Sequence, residues 1–414
     1  MSNFMVKRCL YFLVALISIS LINPSYAFYE WQNDQQFLEA RGLLRANASA
    51  LEYPDNTLLY PNKTELGLAG FGRLLVDGGF NANWGVEFNI YQTYIPEAIQ
   101  SARNNSGIPT SIERSDLLEK NFSTNDYAHL AIDRLALRWS NGNTNLTLGR
   151  QAINLATTFY FTPNDFFAPY AAQTFYRVYK PGVDAVRLEH GLSELSQLSY
   201  MGVLGYKQDS NSDTGWSNSP DSSRSSHLIQ WSDVFNDIET IVIAGEVTNT
   251  NIVGGAIQGE LYKGTGFRLE GHYGNPQNNN SKNYKLLSVG LEHQWQNNSE
   301  LRLEIFYNGL GTDNVSEYQA SQNLSTVQYL ARRYTALGGS YQFTPLLTGQ
   351  AVVIANLDDQ SQLLSFYTVY SLSDESEFTF NLNLPVGDKP EGLLIKSEFG
   401  SYPRSINIEV RQYF

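Results

Sequence analysis

Apolar and polar residues alternate along most of this chain, and this period of two is the feature that most constrains its fold. The segments WGVEFNIY at 84–91, FRLEGHY at 267–273, LRLEIFY at 301–307 and FTFNLNL at 378–384 show it clearly. Successive side chains of a β-strand point to opposite faces of the sheet. Each segment therefore predicts a strand with one apolar face and one face of charges and amides, and the chain is predicted to be all-β.

The lengths of the segments and of their connections indicate which kind of β-protein this is. The segments are about 9–13 residues long, close to the length that a tilted strand needs to cross a bilayer. Every second connection is short and rich in Gly, Asn and Asp, whereas most of the others are long, as at 95–126, 153–182 and 310–330. Short turns at one end and long loops at the other are typical of outer-membrane barrels, and they favour a barrel over a soluble sandwich, which would also alternate.

We predict a single closed, antiparallel transmembrane β-barrel over residues 28–414, with short periplasmic turns and long extracellular loops. Hydrocarbon offers no partner to an unpaired backbone group, so an open sheet edge is excluded there. Eighteen strands are expected; sixteen is the alternative, because glycines weaken the pattern in two of the segments. The predicted strands are 37–47, 64–76, 82–94, 127–139, 143–152, 183–190, 194–205, 225–233, 237–248, 251–262, 265–275, 284–296, 299–309, 331–343, 346–357, 361–372, 376–384 and 404–414.

The first 27 residues have the pattern of a secretory signal peptide. Lys7 and Arg8 precede an apolar run over 9–22, and small residues occupy the cleavage positions that end at Ala27. The run is too short for a membrane-spanning helix. The only cysteine, Cys9, lies inside this segment, so the exported chain is expected to fold without disulfides. The formal net charge of −13 argues against a nucleic-acid partner.

Charged residues on the polar faces of the strands are expected to line the bore. A charge that faces lipid at mid-bilayer costs roughly 2–4 kcal/mol, so these side chains should point inward. Rows of Arg and Glu across a wet bore would set up a transverse field that orients polar solutes. Alternatively, the same charges pair with one another and brace the wall. The predicted pore-lining residues are Glu87, Arg134, Arg138, Arg187, Arg268, Glu270, Arg302, Glu304, Glu409 and Arg411.

The connection at 153–182 is the predicted constriction. It is rich in Phe and Tyr, and Pro163, Pro169 and Pro181 stiffen it. So many rings exposed to water would form a large apolar patch. We therefore expect this loop to fold into the bore, with Asp165, Arg177 and Lys180 at the narrowest point. The alternative is a lid on the rim that packs against lipopolysaccharide or a neighbouring protomer.

The sequence shows no pattern that predicts catalysis or a bound cofactor. It has five histidines, none with the H-E-x-x-H spacing of a zinc protease, and no G-x-S-x-G motif is present. We expect a protein that is not an enzyme and that needs neither a metal nor a cofactor.

Two stretches resemble known outer-membrane proteins. The last strand, SINIEVRQYF at 405–414, resembles the C-terminal signature of Gram-negative outer-membrane barrels, although Gln412 departs from it. The succession LTLGRQ at 146–151, FTPNDFFAP at 161–169 and GVDAVR at 182–187 is similar to one in porin-like and alginate-export-like barrels.

These resemblances imply a location, partners and a function. They imply the outer membrane of a Gram-negative bacterium, with lipids and lipopolysaccharide as partners, and insertion by the barrel assembly machinery through Tyr413 and Phe414. The expected function is a porin, a passive diffusion channel for small polar solutes. The alternatives are export of an acidic polysaccharide, which predicts a bore dominated by Arg, and a plugged structural barrel. A homo-oligomer is compatible with either resemblance.

Overall fold

The computed structural model describes most of the chain. Its described residues are 29–95, 112–122, 127–212, 214–278, 281–318 and 329–414. The predicted signal peptide at 1–27 lies outside the described residues, as does part of the loop predicted at 95–126. Within the described ranges, no helix is long and apolar enough to cross a bilayer.

Within these ranges the chain forms strands and four short 3-10 helices. The strands are β1 (Tyr29–Gln32), β2 (Phe37–Glu52), β3 (Thr64–Gly79), β4 (Trp84–Ile95), β5 (Glu119–Asn121), β6 (Tyr127–Asn141), β7 (Thr144–Gln151), β8 (Val183–Gly191), β9 (Gln197–Val203), β10 (Tyr206–Gln208), β11 (Trp216–Pro220), β12 (Ser226–Phe235), β13 (Ile238–Val247), β14 (Thr250–Tyr262), β15 (Thr265–Pro276), β16 (Tyr284–Gln294), β17 (Glu300–Asn308), β18 (Arg333–Thr344), β19 (Leu347–Asn356), β20 (Gln362–Ser373), β21 (Ser376–Val386) and β22 (Arg404–Tyr413). The 3-10 helices are Asp116–Leu118, Ser222–Arg224, Val315–Glu317 and Phe399–Ser401.

Eighteen of these strands close into a ring. With β1, β5, β10 and β11 left aside, each strand pairs antiparallel with the next along the chain. The ring closes where β2 pairs with β22. Closure leaves no open edge, as hydrocarbon surroundings require. The prediction of an all-β, 18-stranded barrel is confirmed, and the alternative of sixteen strands is wrong.

The seam between the two ends of the chain has two parts. Along most of its length, β2 pairs with β22, from Leu43 opposite Tyr413 to Glu52 opposite Arg404. Beyond the end of β22, the short strand β1 folds back and pairs with residues 37–40 of β2. The barrel strand β2 is therefore paired on both edges over most of its length.

The two faces of each strand have different environments. In β17, Leu303 is 41% exposed and Ile305 is 56% exposed, whereas Glu304 is 2% and Phe306 is 3% exposed. Side chains alternate across a strand, so the exposed apolar residues form the outer surface and the charged face points into the lumen. The same arrangement recurs around the ring.

The observed strands differ from the predicted strands mainly at their ends. At the short-turn end, Asn236, Asp237, Gly142 and Gly264 have positive φ values of 50°, 64°, 55° and 74°, as tight hairpins require. At the long-loop end several strands run further than the alternation predicts; β2 reaches Glu52 rather than residue 47. The four strands outside the ring were not predicted because three to five residues are too few to establish a period.

Candidate functional site

The connection between β7 and β8, residues 152–182, folds into the lumen and is called the inward loop below. Its side chains contact lumen-facing residues on strands far around the ring. Phe175 stacks on Tyr367 of β20 with ring centroids 5.1 Å apart, and Tyr176 lies 3.8 Å from the guanidinium of Arg411 on β22. The loop therefore crosses the lumen and returns, as a constriction would.

Two carboxylates hold the outgoing half of the inward loop. Glu304 accepts hydrogen bonds from the backbone N–H groups of Phe159, Tyr160 and Phe161, at 2.6, 2.8 and 3.0 Å. Glu270 accepts from the backbone of Thr157, of Thr158 at 2.7 Å and of Asn164 at 2.7 Å, and from the Thr158 hydroxyl at 2.9 Å. Consecutive N–H groups aimed at one anion form short, strong hydrogen bonds. These two predicted pore-lining residues point inward but are covered by the loop.

Stacking of aromatic rings on arginines holds the returning half. The Tyr176 ring contacts both Arg411 and Arg45, whose guanidinium groups are 3.8 and 5.5 Å from its centroid. Tyr179 is 4.7 Å from the guanidinium of Arg73. Each contact is worth roughly 0.5–2 kcal/mol, depending on how far it is desolvated. The loop is thus attached to opposite walls of the barrel by different chemistry.

The predicted constriction residues lie within the inward loop and are tied to it. Asp165 and Lys180 are buried and form an ion pair with each other. Burial raises the pKa of the Asp165 carboxyl and lowers the pKa of the Lys180 ammonium. Arg177 donates to the carbonyl oxygens of Thr174 and Ala172, at 2.7 and 3.1 Å, and to that of Phe159. All three side chains stabilise the shape of the loop.

Each predicted pore-lining arginine lies beside a carboxylate on its own or a nearby strand. Both partners are lumen-facing in every case, so the positive charges are compensated locally rather than across the bore. The ion pairs are Arg134–Glu87 at 2.7 Å, Arg138–Asp77 at 2.6 Å, Arg187–Glu189 at 2.5 Å, Arg268–Glu292 at 2.9 Å, Arg302–Glu292 at 3.3 Å, Arg302–Glu300, and Arg411 with Glu409 at 2.5 Å and Glu377 at 3.4 Å.

A buried ionic network between the barrel wall and residues 112–121 was missed by the sequence analysis. Arg150, which is 1% exposed, pairs with Asp184 at 2.8 Å and Glu119 at 3.3 Å. Arg114 pairs with Glu119 and, at 2.8 Å, with Asp133. Arg114 also donates to the carbonyl oxygen of Gly182 at 3.2 Å, so the network fixes the end of the inward loop.

The signal for this network was present in the sequence but ambiguous. Arg150 belongs to the Gly149-Arg150-Gln151 stretch, yet Gly149 has a φ of +112°, which breaks the regular alternation there. Counting by twos from Thr147, which lies opposite Arg138, assigns Arg150 to the outer face, yet its side chain is 1% exposed and pairs with Glu119.

The space between the inward loop and the short-turn end is polar. A cavity of about 600 Å³ lies there against β12 to β17. Its lining includes Arg268, Glu292, Arg302, Glu239 and Gln258. These side chains suit water and polar solutes.

On the long-loop side of the inward loop, part of the lumen is filled by apolar packing. Phe161 of the loop stacks on Phe306 of β17 with centroids 5.0 Å apart, and both contact Tyr334. Tyr318 and Phe399 from two long connections join the same cluster. The inward loop and the outer loops therefore share one core along this side of the barrel.

Among the described residues, no group of three or more His, Cys, Asp or Glu side chains is placed to hold a metal ion.

The closed barrel with charges inside and a loop across its lumen defines the architecture of a transmembrane β-barrel channel. Solved structures share this fold. OccAB3 of Acinetobacter baumannii matches with a TM-score of 0.59 and 11% identity, over 91% of this chain and 99% of that chain. OccK9 (OpdG) of Pseudomonas aeruginosa matches with a TM-score of 0.59 and 11% identity, over 91% and 98%. OccK2 (OpdF) of Pseudomonas aeruginosa in complex with glucuronate matches with a TM-score of 0.58 and 11% identity, over 91% of this chain and 98% of that chain.

At this identity the likeness establishes a common fold. No protein-family model matches the sequence, and the search of curated proteins finds no match. The similar structures support the porin-like part of the resemblance seen in the sequence and give no support to the alginate-export-like part.

Proposed function

We propose that this protein is a porin in the outer membrane of a Gram-negative bacterium, through which small polar solutes diffuse passively. The observation that carries the proposal is a closed 18-stranded barrel whose lumen holds a folded-in loop above a polar cavity of about 600 Å³. A loop anchored on opposite walls narrows the bore without sealing it at the short-turn end. Channels select by this combination of width and lining chemistry.

The comparisons support the same class. The Pseudomonas aeruginosa channel-fold protein OccK2 was solved with glucuronate, a small polar solute. We extend that solute class, and not the particular compound, to this chain. Membrane lipids and lipopolysaccharide are then its surroundings, because the outward face is a continuous apolar band.

The charge pattern argues for a channel of weak ion preference. Export of an acidic polysaccharide would call for a surplus of arginine along the bore, but the described lumen-facing arginines of the strands have carboxylate partners. A paired charge attracts a passing ion less than a free one, since the two fields largely cancel.

A plugged structural barrel is the second candidate, and the shared apolar core favours it. Phe161, Phe306 and Tyr334 are 1%, 3% and 0% exposed and pack against one another on the long-loop side of the inward loop. If this packing extended across the whole cross-section, no solute would pass.

Planar-bilayer recording separates the two candidates. Purified barrel, shown to be folded by its resistance to heat in detergent gels, is inserted at low concentration into a bilayer bathed in potassium chloride. We expect discrete conductance steps with a small reversal potential in a salt gradient. Silent bilayers from verified folded protein would overturn the porin proposal and leave the plugged barrel.

The last two residues are proposed as the insertion signal read by the barrel assembly machinery. Phe414 exchanges two backbone hydrogen bonds with Gly42, at 2.5 and 3.1 Å, so it occupies the last rung of the seam. Deletion of Phe414 should reduce the amount of protein in the outer-membrane fraction. Comparison with deletion of the exposed residue Lys389 controls for loss of a single residue elsewhere. Equal outer-membrane amounts in the two deletions would contradict the assignment.

A further inference from the structure

A strip of amide and hydroxyl side chains lies on the inward faces of β2, β21 and β22. It begins directly on the long-loop side of the place where Tyr176 meets Arg411. In one rung, Asn381, Asn407 and Ser49 stand side by side across three strands. The members of this amide strip are Asn47, Ser49, Asn381, Asn383, Ser405 and Asn407.

The amide strip lies next to the apolar packing in the lumen, whose wall residues come from β16 to β20. Its four asparagines are half-buried, so part of each residue remains accessible. A solute that enters from the long-loop end therefore meets these side chains before it reaches Tyr176.

The hydrogen bonds within the strip leave part of its capacity free. Asn383 donates to Asn381 at 2.8 Å and to Ser405 at 2.9 Å, and Asn47 donates to Asn407 at 2.5 Å. The side-chain carbonyl oxygen of Asn383 is buried and accepts no hydrogen bond from the described protein. That oxygen is out of reach of a solute, but the side-chain NH₂ group of Asn407 donates to no described residue and is not fully buried, so it can bind a hydroxyl oxygen.

The charges next to the strip compensate one another. Arg45 and Arg411 both pair with Glu409, at 2.8 and 2.5 Å. An incoming carboxylate would have to compete with Glu409 for either guanidinium. An amide presents two donors and an acceptor on one side chain, which is the pattern that matches a hydroxyl group, itself both donor and acceptor.

We propose that the amide strip is a binding subsite for the hydroxyl groups of a polyhydroxylated solute, and that it recognises these groups whether or not the solute carries a charge. The proposal rests on the porin function argued above and names its solute class. Recognition through hydroxyl groups predicts that removing the charge from a sugar acid changes its binding little, whereas removing its hydroxyl groups weakens its binding strongly.

Three probes of similar ring size test this in planar bilayers. Glucose has hydroxyls and no charge, glucuronate has both, and cyclohexanecarboxylate has a charge and no hydroxyls. The readout is the concentration of each that halves the single-channel current. We expect the blocking concentrations of glucose and glucuronate to agree within about threefold and that of cyclohexanecarboxylate to be at least about tenfold higher, since its ring has no hydroxyl groups to bond to the strip.

Variants locate the effect on the strip. The double variant Asn381→Ala/Asn407→Ala should weaken the block by glucose about threefold to tenfold and leave that by cyclohexanecarboxylate unchanged. Gln350→Ala removes an inward amide on β19, nearer the short turns, and should change neither. Heat resistance in detergent gels verifies that each variant is folded.

The outcomes distinguish the two proposals. Two results from channels that open normally would overturn the amide-strip proposal and leave the porin function intact. The first is block by glucuronate and cyclohexanecarboxylate but not by glucose. The second is block by glucose at the same concentration in the wild type and the double variant. Silent bilayers from folded wild-type protein would remove the porin function and with it the subsite.

Discussion

The carboxylate of Glu304 accepts a hydrogen bond from the backbone N–H of Phe161, with the two atoms 3.0 Å apart although the residues are 143 positions apart in sequence. Side chain and loop thus meet across the lumen. A carboxylate that replaces water for three consecutive N–H groups fixes the backbone of the loop rather than one of its side chains. A carboxylate on the wall therefore helps to hold the loop inside the bore.

The first prediction concerns this anchor. Replacement by Gln in Glu304→Gln keeps the volume but removes the charge and places an NH₂ group where an acceptor is needed. We expect the inward loop to loosen, with an increase in open-channel current noise and a loss of about 1–3 kcal/mol in the free energy of unfolding. Single-channel recording and urea titration measure the two effects.

Glu239→Gln is the matched control, because Glu239 is lumen-facing but its partner is the Gln258 side chain rather than the loop. It should change neither the noise nor the stability noticeably. A Glu304→Gln channel with the current noise and the free energy of unfolding of the wild type would show that the carboxylate does not restrain the loop.

The second prediction is that the inward loop is the constriction. Replacing Phe159 to Tyr179 with a short Gly/Ser linker removes the rings that stack on Tyr367, Arg411 and Arg73. The barrel ring does not depend on these contacts, so it should still close. We expect a severalfold larger single-channel conductance. Unchanged conductance in folded protein would show that the narrowest point lies elsewhere.

The third prediction concerns the seam. A Cβ atom placed on Gly42 would lie 2.1 Å from a ring carbon of Phe414, far inside contact distance. Gly42→Val should displace the ring and cost about 1–3 kcal/mol, measured by urea unfolding. Gly72→Ala on β3 is the control, since its nearest neighbour would be a Leu44 methyl at 3.4 Å. Equal stability of the two variants would mean that the ring is not packed on Gly42.

The strands could be predicted from the sequence because lipid imposes a local rule on each of them. A residue such as Ile305 faces hydrocarbon and Glu304 faces the lumen whatever the rest of the barrel does, so period two and the turn residues suffice. Even the glycine-rich strands β3 and β14 follow this rule. The inward course of the 152–182 loop followed from its aromatic content.

The pairing inside the lumen could not be predicted in the same way, because it depends on register. Alternation places Arg268 and Glu270 on one face, but Arg268 pairs with Glu292 and Glu270 binds the loop, and nothing local distinguishes them. The network around Arg150 depends on Asp133, the extra residue of a bulge in β6, and on residues 112–121, which come from a long connection. Contacts made by loops carry no period that a sequence pattern could reveal.

The fourth prediction is a pH dependence at the long-loop end. Glu398 lies in the connection 387–403, fully buried, and accepts hydrogen bonds from Asn356 at 2.9 Å, from the backbone of Leu330 at 3.3 Å and from the Tyr334 hydroxyl. Burial raises the pKa of this carboxyl to about 8, and the nearby Asp359 also raises it. The folded state therefore keeps a proton on Glu398 at pH values where the unfolded state has lost it, because the ordinary pKa of a Glu side chain is about 4.3.

The sign of the effect follows from proton uptake. Between the two pKa values the folded state binds more protons, so stability falls as pH rises from the unfolded value through about 8 and then levels off. The stability of wild type minus that of Glu398→Gln, from urea unfolding at about pH 5 and about pH 9, should decrease with pH. The difference isolates Glu398 from Asp359, which both proteins keep. A difference that is constant or that rises with pH would contradict the prediction.

The fifth prediction tests whether paired charges set ion preference. Glu292 lies between two guanidinium groups, 2.9 Å from that of Arg268 and 3.3 Å from that of Arg302, at the polar cavity. Glu292→Gln leaves two positive charges without this partner, so the channel should shift towards anions. Arg268→Gln leaves a negative charge with one partner fewer, so it should shift towards cations. Reversal potentials in a potassium chloride gradient measure both shifts.

Opposite signs are the decisive feature, because loss of folding or of conductance would not produce them. An uncompensated charge near a protein surface is worth on the order of 1–4 kcal/mol to an ion about 4 Å away, so permeability ratios should change severalfold at low salt. The change should shrink as salt rises, since screening shortens the range of the field. Lys389→Gln, in an exposed outer connection, should leave the ratio unchanged. Shifts of the same sign in both variants would show that ions do not pass the Arg268–Glu292–Arg302 group.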